Sequence, residues 1–344
     1  YSSAASDVYK RQKQRLEIID FLRGFSIFTI VLMHLLQSYP INPLFMKASS
    51  FGGAGVHIFI LCSGFGLCLS YLNKPLTYSQ FIKRRFTKVY LPYLIVVLVS
   101  AMIPFYDTSP NKILQVLSHL FFFKMFFNDL ESSLGGQMWF ISTLFQFYIV
   151  WFWVLKLFNR PKGVIYALLV SLAWATIVAV LGKNEIRVWN SFFLQYLWEF
   201  VLGIHLATYY KSNSAKFCIP SFKVLIPICM IGIILTGFAG LKGGIWKLYN
   251  DVPSMMGYLS VLLIIYKLKI KFINNVFIFT NKISYAWYLV HILVFSCTSY
   301  YMHQFGMSTV IIAIISLVLS YFIAFLYHLI LKSCLLYTSD AADE

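Results

Sequence analysis

The chain has 344 residues, 60% of them hydrophobic and only 12% charged, with a mean hydropathy of +0.75. A soluble domain is about 45–50% apolar and about 25% charged, so this composition excludes a string of soluble domains. It points instead to an all-α, polytopic integral-membrane helical bundle in a lipid bilayer. The net charge of +16 is read as loop charge at a membrane surface, and no nucleic-acid partner is expected.

A bilayer core of about 30 Å asks for about 20 mostly apolar residues per helix. Runs that meet or approach this fall at 18–38, 55–72, 88–106, 138–158, 164–182, 190–210, 222–241, 252–268, 283–302 and 307–331. The run 113–127 is short and carries His119 and Lys124, so it reads as interfacial or re-entrant. Ten spans with both termini cytoplasmic place eighteen Lys and Arg on the inner side and seven on the outer, as the positive-inside rule requires. Counting 113–127 as a span would move the later basic loops outside. The ends, 1–12 ("YSSAASDVYKRQ") and 335–344 ("LLYTSDAADE"), are expected to be non-native tails. Residues 13–334 form one transmembrane domain.

Six cysteines, at 62, 68, 218, 229, 297 and 334, lack the C-x2-C spacing of a zinc site or a disulfide framework. They are read as small buried hydrophobes, and no metal is expected.

The first span, "FLRGFSIFTIVLMHLL" (21–36), carries Arg23 and His34. Eleven steps separate them, about 16 Å along a helix and close to three whole turns, so both project from one face. Charge within lipid costs about 2.5 kcal/mol or more, so such groups normally face protein or a watery cavity. Arg23 alone is equally well read as snorkelling to the headgroups, and His34 alone as one half of an interhelical hydrogen bond. Together they suggest a polar cavity, anion-holding near Arg23 and proton-handling near His34. Histidine is the natural general base near neutral pH. Asp20, three positions before Arg23, is expected to pair with it.

The third span opens with "FIKRRFTKVYLPY" (81–93), where Arg84, Arg85 and Lys88 are candidates for holding phosphates. An ordinary positive-inside loop is the competing reading.

Three stretches together resemble the membrane acyltransferase 3 family. "RLEIIDFLRGFSIFTIVLMH" is similar to its first helix, with the Arg-x10-His signature on Arg23 and His34. "HIFILCSGFGL" is similar to its Ser-Gly-Phe stretch, here Ser63, Gly64 and Phe65. "RRFTKVYLPYL" resembles its basic motif, with Lys88 where Arg is usual. "MWFISTLFQFY", "LWEFVLGIHLA" and "ISYAWYLVH" add later blocks, so the resemblance runs from about 15 to about 331.

The resemblance implies transfer of an acyl group, usually acetyl, from cytoplasmic acyl-CoA to a hydroxyl of a cell-surface or lipid-linked glycan. The membrane concerned would be the cytoplasmic (inner) membrane. His34 would then be the base, Arg23 would shape its cavity, and Arg84, Arg85 and Lys88 would meet the CoA phosphates.

Glu199 and His291 also lie within apolar runs. Glu199 is read first as neutralising a basic partner and second as polarising a sugar hydroxyl. His291 is read first as a core hydrogen-bonding group. Ser63 as a covalent nucleophile is set below the simpler use of "CSGFG" for close helix approach. The competing function from another class is a carrier for an anionic or glycan-linked substrate.

Overall fold

In the computed structural model every described element is helical. The description covers residues 2–107, 111–213 and 216–340, with side chains from 17 to 334 except 44 and 48. The expected tails, 1–12 and 335–344, fall outside the described side chains.

The long first helix α1 (Ser2–Ser38) is followed by the short α2 (Pro43–Ser49) and then α3 (Gly55–Asn73). Next, α4 (Tyr78–Arg85) passes through a π-helical turn, Phe86–Tyr90, into α5 (Leu91–Met102). Two short helices, α6 (Lys112–Leu120) and α7 (Asn128–Glu131), precede α8 (Trp139–Phe158) and α9 (Gly163–Val180). The chain continues through α10 (Arg187–Asn190), α11 (Leu197–Ser212), α12 (Phe222–Lys242) and α13 (Asp251–Lys267). It closes with α14 (Lys271–Gln304) and α15 (Thr309–Asp340).

Among the described residues, seven helical stretches are long and apolar enough to cross a bilayer. They are Glu17–Ser38, Phe45–Asn73, Tyr78–Met102, Gly136–Phe158, Gly163–Val180, Phe222–Lys242 and Thr309–Cys334. The other three expected spans correspond to α11, α13 and α14. The first two are short, with 16 and 17 residues, and α14 is long but rich in Asn, His, Ser and Thr. A helix surrounded by protein can be shorter and more polar than one facing lipid. Thus α12 buries only Leu225, Gly232 and Ala239, whereas α11 buries nine of its residues. The segment read as interfacial forms α6, nine residues or about 13 Å, too short to span.

Two seams organise the bundle. Along the first, α1 and α14 run parallel: Asn281 donates to Asp20, His34 meets His291, and the Tyr39 hydroxyl donates to the Phe295 carbonyl. Along the second, α3 and α11 also run parallel, from His57 and Glu199 at one end to Cys68 and Thr208 at the other. The Ser-Gly-Phe stretch lies in this second seam. A Cβ on Gly64 would strike the Phe200 backbone, and one on Gly203 would strike Leu61 and Phe65. That is why small residues sit there.

The basic helix starts where Thr77 and Gln80 cap each other reciprocally. It becomes π-helical just before Pro92, whose ring nitrogen cannot supply the next helical hydrogen bond. Tyrosines from the neighbouring helices take carbonyls at this break. Tyr285 donates to Val89 and Tyr327 to Pro92. The turn bearing Arg85 and Lys88 is thereby tied to α14 and α15.

The cysteines diverge from expectation. Only Cys62 and Cys68 are buried; Cys218, in the connection between α11 and α12, and Cys334, near the end of α15, are exposed.

Gly64→Ala should destabilise the folded protein by about 1–3 kcal/mol through overpacking. Gly66→Ala, whose Cβ would meet nothing within 4 Å, should be neutral or stabilising by up to about 1 kcal/mol. Thermal unfolding in detergent measures both, and equal loss in the two variants would contradict the interlocked seam.

Candidate active site

Two cavities meet inside the bundle. The larger, about 390 Å³, is lined by Arg23 of α1, Ser63 of α3, Arg85 and Lys88 of the basic turn, Tyr148 of α8 and Tyr285 of α14. No carboxylate lines it among the described residues. Arg85 lies 5.6 Å from the Phe81 ring centroid and 5.9 Å from that of Tyr148, and its buried Nε has no hydrogen-bond partner. Three cations line one space with no carboxylate among its described lining residues, an arrangement chemically suited to an anion.

Arg84, expected to join them, points away and is exposed. It sits one position from Arg85 on a helix, on a different face. Nor does Asp20 pair with Arg23. Its carboxylate instead accepts from Asn281 Nδ2 at 2.7 Å, across the α1–α14 seam, and no ion pair to Arg23 forms. Arg23 lines the cavity and interacts with Asp20 only at longer range.

The smaller cavity, about 240 Å³, is lined by His34 and Gln37 of α1, Gln137, Trp139, Arg187 of α10 and Tyr288 of α14, among others. Arg23 and His34 thus line separate spaces, not the single one expected. Ile30, Val56, Phe140 and Tyr288 line both cavities, so the two spaces adjoin along these residues.

His34 Nδ1 lies 2.8 Å from His291 Nε2, and His291 Nδ1 lies 2.9 Å from the Trp287 carbonyl. The carbonyl only accepts, so His291 Nδ1 carries the hydrogen. With one proton on each ring, His291 Nε2 is then a lone pair, and His34 Nδ1–H donates to it. His34 Nε2 is left bare. His291 itself is fully buried and fixes the tautomer of its neighbour, the arrangement that orients a general base.

The acyltransferase 3 family model, described as an acyltransferase domain, matches residues 16–329. The chain belongs to this family. The protein is therefore a membrane acyltransferase, and the carrier reading is set aside. Neither the curated proteins nor the solved structures yield a match to this chain.

Other expected residues lie elsewhere in the acyltransferase. Ser63 lines the cation cavity, but its hydroxyl donates to Phe59 of its own helix at 2.7 Å, and it makes no contact with His34. Glu199 lines neither cavity. Its fully buried carboxylate accepts from His57 Nδ1 at 2.7 Å, while Asp251 lies 3.9 Å from the other nitrogen of that ring. Among the described residues no cluster of His, Cys, Asp and Glu is arranged to hold a metal. Gln37, Gln137, Arg187 and Tyr288 were not singled out from sequence. Gln37 lies one helical turn beyond His34 on α1 and could have been found by that spacing, whereas Gln137, Arg187 and Tyr288 lie far along the chain and only folding brings them to it.

Lys124, outside the spans, is wholly buried and donates to the Ser133 and Gly135 carbonyls at 3.2 and 3.3 Å. Burial pushes its pKa down to about 7, from an ordinary value of about 10.4. Burial, with Lys124 as a second cause, likewise pushes His119 down to about 3. Between about pH 7 and 10.4 the unfolded chain holds a proton on Lys124 that the folded chain lacks. The lysine's contribution to stability therefore rises with pH through that window and is most unfavourable below it. The melting temperature of the wild type relative to Lys124→Met should climb between about pH 7 and pH 9.5. A difference that stays flat would show the amine to be ordinarily charged.

Proposed function

We propose that this acyltransferase is an O-acetyltransferase, moving acetyl from cytoplasmic acetyl-CoA to a hydroxyl of a cell-surface or lipid-linked glycan, with His34 as general base. The bare Nε2 of His34 carries this reading, because His34 lines a cavity that adjoins a space lined by three cations and, among the described residues, by no carboxylate. In the proposed step His34 Nε2 takes the proton of the acceptor hydroxyl as its oxygen attacks the thioester carbonyl. The tetrahedral intermediate collapses with cleavage of the carbon–sulfur bond. The CoA sulfur leaves and receives the proton from the imidazolium, which restores the base.

Arg23, Arg85 and Lys88 would hold the donor's phosphates in the larger cavity. The acyl-bearing arm would extend along α1 past Ile30 and Tyr288, toward His34 about 16 Å away. This places the Arg23 end at the cytoplasm and the His34 end at the opposite face, in an inner-membrane protein with ten spans and both termini inside. The parallel run of α1 with α14, and of α3 with α11, supports that topology. In the ten-span count the members of each pair are both odd-numbered or both even-numbered spans.

Purified protein with radiolabelled acetyl-CoA and the membrane acceptor pool tests this. His34→Ala should reduce acceptor labelling by at least about 10²-fold without loss of expression or membrane insertion. Equal labelling by wild type and variant would refute the assignment. Arg85→Ala should raise the KM for acetyl-CoA more than that for the acceptor; an unchanged KM for the donor would remove Arg85 from the donor site.

A further inference from the structure

The cavity at His34 holds groups that the proton transfer does not use. Gln137 is 6% exposed and lines this cavity, yet neither amide atom has a hydrogen-bond partner among the described residues. An unpaired buried amide is unfavourable, and a ligand's polar groups would relieve it. Its position is built. Gly135, at φ +108°, leaves space that a Cβ would close, 2.8 Å from the Gln137 Oε1 and 3.1 Å from Nε2. The Tyr288 hydroxyl donates to the Gln137 carbonyl and fixes the backbone beneath it.

Arg187 enters the same cavity from α10. Its Nε donates to Glu131 at 3.1 Å, and its guanidinium lies 5.3 Å from the Trp139 ring centroid. These two contacts orient the planar fork, and its terminal nitrogens make no hydrogen bond within the described residues. Glu131 does not line the cavity, nor does any other carboxylate among the described residues. Glu131 pairs with Arg187 through Nε from outside the lining, and the terminal nitrogens of the guanidinium are the charged donors left to the space.

We infer that this is the acceptor subsite and that it selects an acidic sugar, one whose carboxylate lies near the hydroxyl to be acylated. The inference rests on the reading of His34 as base. Arg187 takes the carboxylate through its fork, the geometry that suits planar anions. Gln137 takes a flanking hydroxyl with its amide, and the hydroxyl that reacts faces His34 Nε2.

Calorimetric titration of the purified full chain with methyl β-glucuronoside and methyl β-glucoside tests the inference. The wild type should bind the uronoside at least about tenfold more tightly, the worth of one charge-assisted contact. Arg187→Gln should abolish the preference, and Gln137→Leu should weaken both glycosides alike. Glu131→Gln breaks the same ion pair yet spares the guanidinium, so it should keep the preference. Equal binding of the two glycosides, binding of neither, or loss of the preference in Glu131→Gln as complete as in Arg187→Gln would each overturn the assignment. His34→Ala separates the two layers. Labelling that survives this change while the uronoside preference persists removes the base but leaves the subsite. Labelling lost in His34→Ala without any preference in the wild type removes only the subsite.

Discussion

The seam between α1 and α14 sets where Arg23, His34, His291 and Tyr288 sit. Four contacts run along it in register: Asp20 with Asn281, Gly24 against the backbone of Phe277, His34 with His291, and Tyr39 with Phe295. Because the helices are parallel, one register satisfies all four polar and steric demands at once. A slip of one residue would turn the histidine pair apart and drive a side chain into the Gly24 crossing. The same register points Arg23 into one cavity and His34 into another.

The larger cavity gains its character from what the seam removes. A lysine or arginine within a membrane is normally neutralised by an acid. Here Asp20 is drawn across to Asn281, and Arg23 remains beside Arg85 and Lys88 without a carboxylate in the lining. Asp20 still feels the Arg23 charge, but it hydrogen-bonds across the seam and does not line the space. At the other end, His291 is buried so deeply that its only polar work is to accept from His34 and donate to its own helix. That leaves the second imidazole nitrogen of His34, which lines the smaller cavity, without a hydrogen bond among the described residues.

Other buried polar groups serve the bundle. Glu199 and His57 pair at the α3–α11 seam with Asp251 nearby, and Gln195 ties Asp251 to the Leu248 carbonyl. In a low-dielectric interior, removing one member of such a pair is far more damaging than the pair is stabilising. The cluster fixes how α3, α11 and α13 meet, which makes Glu199 a neutralising group and not part of the cavities.

The all-helical membrane character, most span positions and the polar residues Arg23, His34, Arg85 and Lys88 that line the two cavities stood out in the sequence by itself. Hydropathy is a local property, and a charge inside an apolar run stands out wherever the run lies. The family resemblance was legible for a related reason, since its motifs are contiguous. Partners across space were not. From sequence Asp20 is as near to Arg23 as to any cation, and only packing against α14 offers it Asn281. That Arg23 and His34 line adjoining spaces depended on Phe140 and Tyr288 coming in from other helices. The tautomer of His34 depended on a histidine 257 positions away. What the chain alone determined was the solvent it lives in and which residues are too polar for that solvent; tertiary structure decided which of them face each other, because side-chain pairing across helices follows register and not sequence distance.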